Sequence, residues 1–142
     1  MPHVRKLIRD AVATLLTGLP TTDDRVYVGR TRPLMAKHEP ALLIYTTEEV
    51  SARPMEGNPA DVGRDLQLLI DGRVSEGSVP DDLLDQIAYE VEGELRDNDL
   101  DGLVFDIQLV RTMSDVKADG EQHIGGIRME FRVRYWDPDE EE

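Results

Sequence analysis

The strictest pattern in this sequence lies near its end, where apolar and charged residues alternate without a break. Every second residue from Ile127 to Tyr135 is apolar, and the residues between them are charged. Because successive side chains of a β-strand point to opposite faces, this period of two predicts a strand that is buried on one face. Its register is strongly specified, since a shift by one residue would turn the apolar side chains to water. The charged positions are Arg128, Glu130, Arg132 and Arg134.

Two other segments have the three- and four-residue apolar spacing of amphipathic helices. The first extends from Val4 to Leu19. Gly18 and Pro20 are expected to end it, because glycine permits a left-handed cap and proline cannot continue the helix. The second begins at Pro80, where two aspartates follow and suit the positively polarised end of a helix. Each helix has one apolar stripe to bury.

Four shorter apolar segments predict further strands. Strands that mostly follow one another, together with two amphipathic helices, predict an α+β fold: a mostly antiparallel sheet of about five strands with both helices packed on one face. The dipeptide Asp71-Gly72 is expected to end or turn the third of these strands. The segments are Val26–Val28, Ala41–Thr46, Leu66–Ile70 and Leu103–Leu109.

Two long polar segments, Ser51 to Gly63 and Ser114 to Gly126, are predicted as loops. Loops longer than about 12 residues in a compact domain are usually functional or disordered. Since the chain has no catalytic motif, we interpret them as segments that become ordered against a partner, with simple flexibility as the alternative. The candidate partner-ordered residues are Arg53, Glu56, Asp61, Asp115, Lys117 and Asp119.

The chain length of 142 residues favours a single domain, which we place at residues 1–136. The last six residues, 137–142, include five acids and are expected to form a disordered tail. No segment approaches the roughly 20 consecutive apolar residues that cross a bilayer. We therefore expect a soluble protein of the cytoplasmic side without a membrane partner.

Catalytic motifs are missing from the sequence. It contains no cysteine, so a thiolate metal site and a cysteine nucleophile are excluded. It has no G-x-S-x-G elbow and no glycine-rich phosphate-binding loop. The histidines His3, His38 and His123 are isolated from one another and lack the spacing of a metal pair. We therefore predict that the protein is not an enzyme and holds no cofactor and no metal.

One acidic segment begins like a calcium loop. Asp97, Asp99 and Asp101 alternate and Gly102 follows, as in the first half of that motif. The twelfth loop position is Gln108, where a bidentate glutamate is expected, and the residues before it resemble a strand. A solvated turn explains the same residues.

Charge is distributed unevenly along the chain. The net charge is −14 at pH 7, yet residues 1–40 hold seven bases and four acids and carry +3, so the remainder carries −17. Such a molecule can dock its basic part against the acidic part of a neighbouring copy, although a purely solubilising surface has the same composition. The acidic excess argues against a protein that grips nucleic-acid phosphates.

Several local patterns, in this order, resemble the tail terminator family of long-tailed bacteriophages, the family of the lambda minor tail protein U. The likeness begins in the first helix and continues through Val28-Gly29-Arg30 and Pro33. It includes the strand 40–46 with Glu48 and Glu49 after it, the helix opening at 80–84, and the closing Arg134-Tyr135-Trp136. The chain departs from the family in its acidic end and in the composition of both long loops.

The resemblance implies a structural protein without enzymatic activity. Members of that family form a ring of six copies on the last ring of tail-tube subunits, stop tube growth and offer the surface that the head-tail connector binds. It implies a component of the virion tail that is assembled in the host cytoplasm, through which DNA passes without specific binding. The candidate inter-subunit residues are Arg30, Arg32, Arg128, Glu130, Arg132 and Arg134.

Three other functions fit the same sequence. A head-completion or connector adaptor also forms rings. An acidic surface could imitate DNA and capture a nucleic-acid-binding protein, and clustered acids could serve a small metal-dependent enzyme.

Overall fold

The computed structural model describes residues 3–29, 40–52, 61–76, 80–119 and 122–138. They form two helices and five strands, and the predicted α+β fold is confirmed. The elements are α1 (Val4–Leu16), β1 (Val26–Val28), β2 (Ala41–Ala52), β3 (Asp61–Glu76), α2 (Pro80–Leu95), β4 (Asp106–Asp119) and β5 (Gln122–Pro138).

All five strands belong to one sheet with the order β1-β2-β3-β5-β4. The ladders β2-β3, β3-β5 and β4-β5 are antiparallel, and β1 alone runs parallel to its neighbour β2. The β3-β5 ladder is the long centre of the sheet and pairs Asp61 with Pro138 at one end and Glu76 with His123 at the other. The two edges are therefore the short β1 and the 14-residue β4.

The helices pack against one face of the sheet, as predicted. We call this the inner face and the opposite one the outer face. The alternating apolar side chains of β5 are buried there, so the register expected from the sequence is confirmed. Gly72, Leu68 and Leu66 of β3 lie opposite Ile127, Phe131 and Val133. The buried helix residues are Ile8, Val12 and Leu16 of α1 and Leu84, Ile87, Val91 and Leu95 of α2.

Asp71 and Gly72 do not end a strand, contrary to the sequence prediction, because β3 continues through both to Glu76. A Cβ atom at Gly72 would lie 2.9 Å from Cγ2 of Ile87 in α2 and 3.1 Å from Cγ2 of Ile127. The glycine therefore serves close packing of α2 against the sheet.

Both ends of the first predicted loop and most of the second belong to strands. Residues 53–60 lie outside the described residues. β2 extends to Ala52 and β3 begins at Asp61, with Ser51 paired to Arg64. β4 and β5 form a hairpin in which Asp115 lies opposite Gly126. Cross-strand hydrogen bonding outweighs the low strand preference of these polar and glycine residues. Asp61 thus lies on β3, and Asp115, Lys117 and Asp119 lie on β4, whereas Arg53 and Glu56 lie outside the described residues.

Three element boundaries also differ from the prediction. α1 ends at Leu16, and Gly18 has a left-handed φ of +96°. β4 begins at Asp106, because the preceding residues form a turn with left-handed backbone at Asp97, Leu100 and Asp101. The first two residues of the predicted tail belong to β5, and residues 139–142 lie outside the described residues. No helix in the described parts is long and apolar enough to span a bilayer.

Candidate assembly surface

The outer face of the sheet carries the arginines that the sequence places on β5. Each of them binds an aspartate of an adjacent strand. Arg128 Nε donates to Oδ1 of Asp71 at 2.9 Å, and Arg132 Nε donates to Oδ2 of Asp65 at 2.6 Å. The third pair joins Nη2 of Arg134 to Oδ2 of Asp106 at 2.8 Å. The predicted position of these arginines on the polar face of the last strand is correct.

Asp71 is the most buried of these acids, with a side chain that is 8% exposed. The hydroxyl of Tyr45 in β2 donates to its Oδ2 at 3.0 Å, so the carboxylate is held from the strands on both sides of β3. The hydrogen bond to Asp71 raises the pKa of Arg128, although partial burial opposes it. This pair is a buried carboxylate with its counter-ion, which favours a structural role.

The predicted inter-subunit residues fall into three groups. Arg128, Arg132 and Arg134 have partners within their own chain, and their side chains are 48%, 50% and 38% exposed, so one side of each remains accessible to a neighbour. Glu130 lies on the same face and is half-buried. Arg30 and Arg32 lie outside the described residues. Contact of any of these six residues with another copy stays a prediction.

A second polar cluster lies on the inner face, around Glu49. A β-bulge between Thr46 and Glu49 shifts the register of β2 and turns this carboxylate towards α1. The hydroxyl of Tyr135 donates to Oε1 at 2.6 Å. Nη1 of Arg5 and Nη1 of Arg64 each donate to Oε2 at 2.8 Å. The cluster joins α1, β2, β3 and β5.

The surroundings shift the pKa values of Glu49 and Tyr135 in opposite directions. Burial alone would raise the pKa of Glu49, but the hydrogen bonds from Tyr135 and Arg64 and the charges of Arg5 and Arg64 outweigh it and lower the pKa. Burial, followed by the hydrogen bond to the Glu49 carboxylate, raises the pKa of the Tyr135 phenol. At pH 7 Glu49 is therefore ionised and Tyr135 is neutral. The phenol can thus donate its hydrogen bond to the carboxylate that joins these elements.

The β4 edge bears the largest concentration of exposed apolar side chains. Eight large apolar residues of the described chain are exposed, and five of them lie at this edge. Two of the five are aromatic, and the rings of Phe105 and Trp136 stack with their centroids 5.5 Å apart. We call the five residues the β4 apolar strip: Phe105 (52% exposed), Leu109 (40%), Val110 (54%), Met113 (45%) and Trp136 (51%). Leu109 lies opposite Phe131 on the inner side of the edge and Met113 lies opposite Arg128 on the outer side, so the strip follows the edge itself. Exposed apolar residues along an open edge indicate a contact surface.

Sequence reasoning missed this strip. It placed Leu103, Phe105, Ile107 and Leu109 on one strand face, but of these only Ile107 and Leu103 pack against the core. A bulge between Leu109 and Arg111 then breaks the alternation and exposes Val110. The consecutive apolar pair Leu109-Val110 was the signal in the sequence for this irregularity.

A groove of about 600 Å³ lies on the outer face, where Gly126 leaves no side chain between β3 and β4. Its walls include Asp71, Arg73, Asp115 and Arg128. Asp71 already binds Arg128 and Tyr45, so it is poorly placed to act as a general base. The arrangement offers polar contacts to another surface.

Two polar side chains outside the sheet hydrogen-bond to the backbone. Nδ1 of His3 accepts from the backbone N–H of Arg5 at 3.0 Å and caps α1. In the turn after α2, the side chain of Asn98 accepts from the backbone N–H of Leu100 at 2.8 Å. Within the described residues, no three or more His, Asp or Glu side chains are grouped so as to hold a metal.

Known proteins match this chain in fold but not in sequence. No protein-family model matches this sequence, and no curated protein matches it significantly. A chain in the solved structure titled "Virion of native gene transfer agent (GTA) particle" aligns with a TM-score of 0.54 at 16% identity. This protein shares the fold of a virion chain. The alignment covers 95% of this chain and 92% of the other, so the likeness concerns the whole architecture rather than a local motif.

Proposed function

We propose that this protein is a structural component of a phage-like virion. The observation that carries the proposal is the fold likeness to a chain of a gene transfer agent particle, which extends over nearly the full length of both chains. The residues of the tail terminator resemblance fit the same class of protein. Within that class we assign it the role of a ring that caps the tail tube, ends tube polymerisation and joins the tail to the head.

The surface of the protein supports a role in assembly. The β4 apolar strip leaves five large side chains 40–54% exposed, which is typical of a surface that another protein covers. The arginines of the outer face and the acids of α2 lie on opposite faces of the molecule. Segment 80–102, which contains α2, has nine acids and one base. A ring is built from two different surfaces that meet head to tail, and opposite charges on two faces suit such a contact.

The same charge distribution suits a conduit for DNA. Arg128, Arg132 and Arg134 each bind an aspartate of their own chain, so the charge of these three arginines is balanced within the protein. The net charge of −14 repels nucleic acid over longer distances. We propose that DNA passes without specific binding and that the protein has neither catalytic activity nor a cofactor.

Tube capping can be measured directly. Purified protein is mixed with polymerising tail-tube subunits of the same particle, and tube lengths and tube ends are recorded by negative-stain electron microscopy. We expect shorter tubes that carry an extra ring at one end. Tubes of unchanged length with bare ends would contradict the capping role. Rings bound to the head portal instead of the tube would assign the protein to the connector adaptors, and tight capture by a basic DNA-binding protein without rings would favour a DNA mimic.

A pair of variants tests the contribution of the outer face. Arg132→Glu places a negative charge on that face, and we expect it to weaken ring formation while the fold persists. Lys6→Glu makes the same charge change on α1, outside both proposed contact surfaces, at a side chain that is 57% exposed. It should cap tubes like the wild type. Equal capping by both variants would remove the outer face from the ring contact.

A further inference from the structure

The open edge of β4 has a segment whose chemistry is self-complementary. β5 is the neighbour of β4 in the sheet, and β4 forms the sheet's outer edge. Such an edge presents backbone N–H and C=O groups that can pair with another strand. Residues Arg111 to Asp115 are all exposed and follow the bulge at Leu109/Arg111 without further irregularity. We call this stretch the edge segment.

The side chains of the edge segment alternate between the two faces of the sheet. Arg111, Met113 and Asp115 lie opposite Glu130, Arg128 and Gly126 of β5 and therefore belong to the outer face. Thr112 and Ser114 belong to the inner face. The outer face of this segment thus reads positive, apolar, negative along the strand.

When two edge segments pair antiparallel with Met113 at the centre, each residue lies opposite a residue of complementary chemistry. Arg111 of one copy lies opposite Asp115 of the other, Thr112 opposite Ser114, and Met113 opposite Met113. Residues that face each other in an antiparallel pair lie on the same side of the sheet, so both ion pairs and the methionine contact form on the outer face. The two-fold axis makes each charge pair occur twice.

Other alignments lose these contacts. An antiparallel pair centred on Arg111 sets the two guanidinium groups against each other, and a parallel pair aligns equal charges along its whole length. Like charges directly opposite are destabilising. The bulge before Arg111 ends the flat part of the edge, which limits pairing to a short segment and opposes growth into larger edge-to-edge aggregates.

We propose that the free protein forms a two-fold dimer in which the edge segments of two copies pair antiparallel about Met113. The two sheets then continue into each other with the helices of both copies on one side. This contact closes at two copies and differs from the head-to-tail contact of a ring. The inference therefore goes beyond the proposed function and can hold or fail independently of it.

Cysteine cross-linking tests the register, because the natural sequence contains no cysteine. Directly opposite Cα atoms in an antiparallel pair are about 4.5–5.5 Å apart, within the range that a disulfide bridges. We expect Met113→Cys to give a disulfide-linked dimer on mild oxidation of dilute protein. Tyr89→Cys is the control, since Tyr89 is 75% exposed and lies on α2, outside the edge segment. Equal cross-linking of both variants, or none at position 113, would overturn the proposal.

A charge exchange tests the ion pairs. Arg111→Asp and Asp115→Arg each set like charges opposite each other at two places, and each is expected to raise the dimer dissociation constant about tenfold. The double variant restores opposite charges and should regain wild-type affinity in sedimentation equilibrium. Circular dichroism confirms that each variant is folded. A wild-type protein that stays monomeric up to high micromolar concentration, or a double variant weaker than both single ones, would refute the dimer.

Tube capping separates the two proposals. The proposed function would be contradicted, and the dimer left intact, if the wild-type protein dimerises and Met113→Cys cross-links but no ring forms on tubes. Six-copy rings on tubes, together with no disulfide-linked dimer of Met113→Cys, would contradict the dimer and support the ring.

Discussion

Tyr135 and Glu49 meet across the width of one strand, with the phenol hydroxyl donating to Oε1 at 2.6 Å although 86 positions separate them in the sequence. Tyr135 lies on β5 and Glu49 on β2, and β3 runs between them. Arg64 of β3 completes the bridge by donating to Oε2 of the same carboxylate. One acid thus secures three neighbouring strands, and Arg5 attaches α1 to them.

The lowered pKa of Glu49 predicts how stability depends on pH. A carboxylate whose folded pKa lies below its usual 4.5 contributes stability that is present above pH 4.5 and is lost as the pH falls through the folded value. We expect Glu49→Gln to lower the free energy of unfolding by about 1–3 kcal/mol at pH 7. Below pH 4.5 the difference from the wild type should narrow. Urea unfolding over this pH range measures it, with Glu48→Gln, at an exposed neighbour, as control. A difference independent of pH would contradict the assignment.

The ion pairs of the outer face should differ in strength. Removing Arg128 leaves the buried carboxylate of Asp71 with the Tyr45 hydroxyl, whereas Asp65, the partner of Arg132, is 26% exposed and can be solvated. We expect Arg128→Gln to destabilise the fold by about 1–3 kcal/mol, towards the lower end because Arg128 itself is half exposed to water. Arg132→Gln should have a distinctly smaller effect. Equal losses in chemical denaturation would show that the burial of Asp71 is unimportant.

Gly72 and Gly93 predict opposite results for one substitution. A methyl group at Gly72 meets Ile87 of α2 at 2.9 Å, so Gly72→Ala is expected to destabilise by about 1–3 kcal/mol through overpacking. Gly93 lies within α2, and nothing lies within 4 Å of a Cβ atom there. Gly93→Ala should stabilise by about 0.5–1 kcal/mol, because alanine favours the helix. Thermal unfolding of both variants decides, and a neutral Gly72→Ala would show that α2 can shift.

The parts of the fold that the sequence predicts are those in which burial dominates. The alternation from Ile127 to Tyr135 and the stripes of both helices follow from the need to hide apolar side chains on one face. The loop prediction was wrong for the described residues of the segments that begin at Ser51 and Ser114, since their glycines and polar residues have low strand preference. Long-range pairing with β3 and β5 extends strands into the described parts of both segments, and no local pattern reports such pairing.

The candidate surface was predictable only where one strand defines it. The arginines of β5 lie on the polar face that their alternation indicates. Glu49 reaches the inner face because a bulge changes the register of β2, and a bulge of this kind leaves little trace in a sequence. The β4 apolar strip depends on β4 being the edge strand, which is a property of sheet order.

The aromatic end of the strip offers a direct readout of assembly. Trp136 is the single tryptophan of the chain, and it is 51% exposed while stacked on Phe105. If this end of the sheet is covered in the virion, the indole loses contact with water, and its fluorescence emission should shift to shorter wavelength when tube subunits are added. Tube subunits alone provide the background spectrum. Phe105→Ala keeps the tryptophan but removes its stacking partner, and we expect weaker assembly because apolar contact area is lost. Electron microscopy of the same samples shows whether rings have formed on the tubes. If rings are present and the tryptophan emission spectrum is unchanged, Trp136 stays exposed and the ring contact lies elsewhere.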